Sequence, residues 1–324
     1  MKRLILVALF LAATARADDL PSWNDGPAKQ AIVAFVKDTT TQGSAKFVPP
    51  EERIATFDQD GTTWVEQPMY AQVMYCLHRV GALAEKDPKL KNVEPFKAVL
   101  SGDREKIAKL GMKDLEKILV ATLTGMPTEQ FDAEVKAWIE TAKAPRYDKL
   151  YTELVYQPML EVMQYLRANG YKTYIVTGGG QAFVRQYSER VYGIPPEQVV
   201  GTAGGTKYGY AKDGKPFLTK EPKLLLNDNA AGKPEGIYFM IGRRPHVAFG
   251  NSDGDREMLE YTAGGDGARL SLLVHHDDAE REYAYGPDSH VGTFSNALMA
   301  EAKKNGWVVI SMKNDWKEIF AFEK

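Results

Sequence analysis

Ala55-Thr56-Phe57-Asp58-Gln59-Asp60-Gly61-Thr62-Thr63-Trp64 is the stretch on which the fold turns. An apolar run ends at Phe57, two carboxylates follow at spacing i, i+2, and Gly61 turns the chain. A short apolar run bounded by turn residues predicts a buried strand. In open α/β sheets, ligands bind in the crevice past the carboxyl ends of the strands. Asp58 and Asp60 placed there offer hard oxygen ligands suited to Mg2+, and a carboxylate can also attack an electrophile. On their own the same residues also read as an acidic turn, since Asp and Gly are common turn residues.

Working outward, two more apolar runs end in polar turns. The run 172–176 stops at Thr177-Gly178-Gly179-Gly180, ahead of an expected helix over 181–191. A hydroxyl and backbone N–H groups at a helix start make a cradle for a phosphate. The run 246–249 stops at Gly250-Asn251-Ser252-Asp253-Gly254-Asp255, an oxygen-rich turn able to complete a Mg2+ site begun by Asp58 and Asp60. Between them Lys233 opens an expected helix to about residue 241, where its charge can offset a phosphate and the neighbouring carboxylates. A short strand is expected at 198–201, a hairpin over 206–219 around Asp213-Gly214, and further strands at 270–275 and 307–310. Strands alternating with helices predict an α/β fold with a mainly parallel, Rossmann-like sheet.

The stretch 68–144 differs. Apolar residues there recur at three and four positions, through Met69, Val73, Leu77 and Val80 and again over 110–123 and 128–141, with no convincing strand. It reads as an α-helical module, 68–144, inserted into a core made of 18–67 and 145–324. Residues 1–17 have a basic start, a short apolar core and Ala15-Arg16-Ala17, the pattern of a secretory signal peptide. That run is too short to span a bilayer. The expectation is a periplasmic or secreted protein with no stable membrane insertion after cleavage.

Composition narrows the partners. The 324 residues carry 41 basic and 43 acidic side chains, with no basic run of the kind that binds nucleic acid. Cys76 is the sole cysteine, so no intrachain disulfide forms, and its apolar setting reads as core. His275-His276-Asp277-Asp278 suggests a metal cluster, but adjacent strand residues point to opposite faces, and a polar strand end is the better reading, with either His able to support the active site from behind. Trp64 reads as packing. Glu66 reads as solvated, with contact to a substrate cation as the alternative.

In this order, Asp58-Gln59-Asp60-Gly61-Thr62, Thr177, Lys233 and Gly250 to Asp255 followed by Met258-Leu259 resemble the four motifs of the haloacid dehalogenase superfamily of phosphohydrolases. The layout is similar to the phosphoserine-phosphatase-like branch, and the inserted helices lie where the family places a cap. The resemblance implies that Asp58 attacks phosphorus and Asp60 serves as acid and base. It implies that Thr177, Gly178 and Lys233 bind phosphate, and that Mg2+ is held by Asp58, Asp60, Asn251 and Asp255. The substrate it implies is a small phosphate monoester. Asn251 departs from the family's pattern, which has an Asp there, and Asp253 is the alternative ligand. Two other readings stand beside this one: a phosphotransferase of the same fold, and a periplasmic solute-binding protein.

Overall fold

The computed structural model describes residues 20–323. The expected signal peptide, 1–17, lies outside them. Seven strands form one sheet: β1 (Ile54–Phe57), β2 (Lys172–Gly180), β3 (Val199–Tyr210), β4 (Pro216–Leu226), β5 (Val247–Gly250), β6 (Leu270–His275) and β7 (Val308–Ser311). Their spatial order is β4-β3-β2-β1-β5-β6-β7. Only β3 and β4 pair antiparallel; every other neighbour is parallel.

From β1 the chain builds outward through β2, β3 and β4 on one side and through β5, β6 and β7 on the other. A sheet that reverses its winding direction opens a crevice at the carboxyl end of the strands where it reverses. Here that place is the end of β1. All four β1 residues are buried, as a central parallel strand covered on both faces requires. Phe57 stacks on Phe249 of β5 with ring centroids 4.7 Å apart.

Between β1 and β2 run α1 (Ala71–Lys86), α2 (Met112–Leu123) and α3 (Thr128–Ile139), with shorter helical turns between the first two. They share the sheet's apolar cluster: Ile118, Phe131, Val135 and Ile139 belong to the same buried group as Phe57 and Phe249. The β3–β4 hairpin also reaches them. Gly125 donates to the Lys220 carbonyl at 2.8 Å, Lys220 donates to Met126 at 2.9 Å, and the Lys220 ammonium sits 4.2 Å from the Phe131 ring centroid.

Two elements differ from the sequence reading. The expected separate strand and hairpin merge into one long β3, because Gly204-Gly205 lets the register shift without breaking the ladder. The expected helix over 181–191 is two short helices, Gln181–Val184 and Ser188–Tyr192.

Candidate active site

Strand register explains why residues far apart in sequence meet. Phe57 is level with Ile175 of β2 and Phe249 of β5. Asp58, the next residue, therefore emerges between the ends of those two strands, beside Thr177 and Asn251. Its amide donates to the Phe249 carbonyl at 2.9 Å, which fixes the carboxylate at the lip of the sheet.

Lys233 lies in α4 (Gly232–Met240), and its side chain is buried. The ammonium donates to Asp58 Oδ1 at 2.5 Å and to the Val176 carbonyl at 2.7 Å, and lies 2.7 Å from Asp255 Oδ1. Three oxygens thus surround a cation with three N–H groups. Its donors face protein oxygens, and one of them ties Asp58 in place. Burial works against the ammonium, but the charges of Asp255 and Asp58 outweigh it and hold the pKa above that of a free lysine.

Asp255 uses its second oxygen differently. Oδ2 accepts from the amides of Asn251 at 2.9 Å and Ser252 at 3.0 Å, and from the Ser252 hydroxyl at 3.2 Å. Both oxygens are engaged within the protein, so Asp255 shapes the turn and pairs with Lys233. Asp253 accepts from the Ser295 amide at 3.0 Å and so faces the chain ahead of the last long helix.

Asp60 is held by a residue the sequence reading assigned to packing. Gln59 accepts from Thr63 and Trp64, winding the chain through a tight turn that returns the indole to the acid. Trp64 Nε1 donates to Asp60 Oδ1 at 2.7 Å, while the ring is fully buried and stacks on Tyr187. The i, i+4 spacing was the sequence signal for this contact. Oδ2 of Asp60 points toward the second strand end, 3.8 Å from where a β-carbon on Gly179 would sit. Thr177 is buried there, and its hydroxyl accepts from the Gly179 amide at 3.0 Å, whereas Gly178 is exposed. Gln72 of α1 reaches down to the same glycines, its Oε1 accepting from Gly180 at 2.7 Å. The helical layer is thereby tied directly to the expected phosphate loop.

Glu66 is a correction. Expected to be solvated, it is 2% exposed, and its Oε1 accepts from Asn251 Nδ2 at 2.7 Å and the Tyr285 hydroxyl at 2.5 Å. Two glycines make the room. A β-carbon on Gly61 or Gly292, both at positive φ, would collide with the Glu66 carboxyl. His276 closes the same region: Nε2 lies 2.7 Å from the Gly61 carbonyl, Nδ1 lies 3.1 Å from Glu282, and the ring stacks on Tyr285. His275 instead sits beside Phe294, 3.8 Å from Asp277, while Asp277 and Asp278 turn to Ser311 and Arg281. The four residues 275–278 thus face separate partners.

The electrostatics are dominated by acids. Asp58, Asp255, Asp228 and Asp60 all feel the Lys233 ammonium, and Glu66 adds a further buried carboxyl beside Asn251. Burial and the charge of Asp255 raise Asp58 to about 8 against the pull of Lys233. Burial raises Asp60 to about 6, opposed by the Trp64 bond, and raises Asp228 to about 7, opposed by Lys233. Burial also pushes Glu66 well above the ordinary carboxylate range. Such an excess of enclosed hard oxygens is chemically matched to a divalent cation. Among the described residues, no group of three or more His, Cys, Asp or Glu side chains is arranged to hold a metal. A Mg2+ ion would therefore also need the amide oxygen of Asn251 and a backbone carbonyl. Asn251 is 1% exposed, with Oδ1 accepting from Thr62 at 3.0 Å, so the oxygen faces the Asp58–Asp60 turn.

No curated protein matches the chain by sequence. A functionally unknown protein from Anaerococcus prevotii DSM 20548 is similar in structure, with a TM-score of 0.56 at 16% identity over 90% of this chain and 94% of that one. A protein of unknown function from Bordetella pertussis Tohama I is similar at a TM-score of 0.50 and 14% identity, over 80% of this chain and 98% of that one. At these identities the likeness is one of fold. The family model described as haloacid dehalogenase-like hydrolase matches residues 55–260, a span that runs from the strand before Asp58 to the helix after Asp255. The chain belongs to the haloacid dehalogenase-like hydrolase family.

Proposed function

We propose that the chain is a Mg2+-dependent phosphomonoesterase acting on small phosphate monoesters. The observation that carries this reading is the Asp58–Lys233–Asp255 ion cluster at the end of β1, with Asp60 held by Trp64 two residues on. Lys233 keeps Asp58 oriented through Oδ1 and favours its ionised form, leaving Oδ2 to attack phosphorus. The P–O bond to the leaving group breaks as the Asp58–phosphorus bond forms. Asp60, raised to about 6, gives its proton to the departing oxygen and later takes one from the water that hydrolyses the aspartyl-phosphate. Thr177 and Gly178 would receive the phosphoryl oxygens. When bound, Mg2+ held by the Asp58 carboxylate, the Asp60 carbonyl and the Asn251 amide oxygen would supply positive charge to those oxygens.

The helices over 68–144 serve in this reading as a cap that excludes water, with Gln72 as one of its fastenings. Export to the periplasm or medium rests on the sequence of residues 1–17. N-terminal sequencing of the protein from fractionated cells tests it: a retained Met1 in the cytoplasmic fraction sinks the export reading.

The activity is tested with p-nitrophenyl phosphate, comparing wild type in Mg2+, wild type in EDTA, and Asp58→Asn in Mg2+. Turnover in the first alone is expected. Absence of turnover with any divalent metal overturns the proposal. A panel including phosphoserine, phosphocholine and nucleotides then identifies the substrate.

A further inference from the structure

An asparagine can ligate a cation only through its oxygen, and its amide can sit either way round. The surroundings of Asn251 select one orientation. On one side, Thr62 donates its hydroxyl to Oδ1 at 3.0 Å. On the other, Nδ2 donates to Glu66 Oε1 at 2.7 Å. Reversal would bring two acceptor oxygens to that 2.7 Å separation, a loss of a buried hydrogen bond compounded by repulsion. Glu66 is in turn fixed by the Tyr285 hydroxyl at 2.5 Å, and Tyr285 stacks on His276, which holds the Gly61 carbonyl. Gly61 and Gly292 leave the space that this carboxyl fills.

The geometry points to Glu66 as the positioning residue that fixes the Asn251 amide with its oxygen turned toward the Asp58–Asp60 turn, so that a neutral side chain can serve a cation there. This deepens the phosphatase reading and rests on it for the identity of the cation. Glu66 touches Asn251 and Tyr285, and it acts through Asn251. Oε1 accepts from both Asn251 Nδ2 and the Tyr285 hydroxyl, so this oxygen is held as an acceptor. Loss of an outer group that orients a metal ligand typically weakens metal binding about 10- to 100-fold.

The experiment measures Mg2+ dissociation constants by calorimetry, with thermal unfolding in EDTA alongside. Glu66→Leu should weaken Mg2+ binding by about tenfold or more, because the amide is free to turn. Glu66→Gln should stay within about threefold of wild type, since its own oxygen can accept from Nδ2. In Glu66→Leu/Asn251→Asp, both oxygens of the new carboxylate are ligands and need no orientation, so Mg2+ binding should recover. A merely structural Glu66 would lower the unfolding temperature without this pattern. Unchanged affinity in Glu66→Leu, or no recovery in the double variant, overturns the inference.

A second arm needs neither Mg2+ nor a folded Glu66→Leu. In EDTA, Asn251→Asp should lower the unfolding temperature by setting two carboxyls face to face, and adding Glu66→Gln should restore it by supplying an N–H. Failure to restore it overturns the inference. A wild type that binds no divalent cation instead sinks the proposed hydrolysis, while this arm still decides the Glu66–Asn251 pairing.

Discussion

Replacing Lys233 with Met tests the reasoning about the site most directly. Met matches the aliphatic stem, so little cavity forms and the perturbation is chiefly the lost charge. The side chain is 2% exposed, and its ammonium is the counterion for Asp58 at 2.5 Å and Asp255 at 2.7 Å. Removing one partner of a buried ion cluster costs about 3–5 kcal/mol, because the charges left behind have lost their solvation and their counterion. For a domain of this size each kcal/mol moves the unfolding temperature by about 2–4 °C, so a fall of roughly 10 °C follows. The loss should depend on pH with a definite sign. Lys233 is one of the groups holding Asp58 down, so without it Asp58 binds a proton more readily than in wild type. A carboxyl whose folded pKa is raised adds stability that is lost as pH rises through that pKa. The variant should therefore trail wild type less at pH 6 than at pH 9.5, on either side of the wild-type Asp58 value of about 8. Urea unfolding in EDTA at both values measures this, and Lys233→Met/Asp255→Asn should recover part of the deficit. A variant within about 1 kcal/mol of wild type at pH 9.5, or a deficit equal at both pH values, would refute the account, since a buried unpaired charge cannot be that cheap.

Further outcomes follow from single contacts. Trp64→Phe removes the N–H that opposes the upward push on Asp60, so the limb of the kcat/KM profile governed by that acid should move to higher pH by roughly half to one unit; an unmoved limb assigns it to another group. His276→Leu leaves the Gly61 carbonyl and Glu282 without their buried partner and should cost about 1–3 kcal/mol in urea unfolding, with a drop in kcat that exceeds any change in KM. Cys76 is fully buried and pushed up to about 12, so a thiol reagent should react with it at the rate of unfolding; prompt labelling of the native protein would contradict the packing.

The sequence determined the α/β class, the order of the motifs and the helical character of 68–144, because each is written in local periodicity and in turn residues. It also singled out Asp58, Asp60, Thr177 and Asn251 at strand ends and Lys233 at a helix start, since acids, glycines and a lysine at such places are local signals. The contacts that make those residues a site were beyond it. Glu66, Gln72 and His276 carry no local mark of these contacts, because their partners lie at Asn251, Gly180 and Gly61 in other parts of the chain. Trp64 showed only an i, i+4 spacing, which packing would also produce. Burial, too, is a property of the assembled chain: nothing near Glu66 in sequence foretells that residues 276–292 fold over it. The sequence could name an acidic turn that resembled a phosphatase motif. Only the assembled sheet, setting β1 between β2 and β5, put Lys233 and Asp255 against it and raised its acids toward the range where they can trade protons.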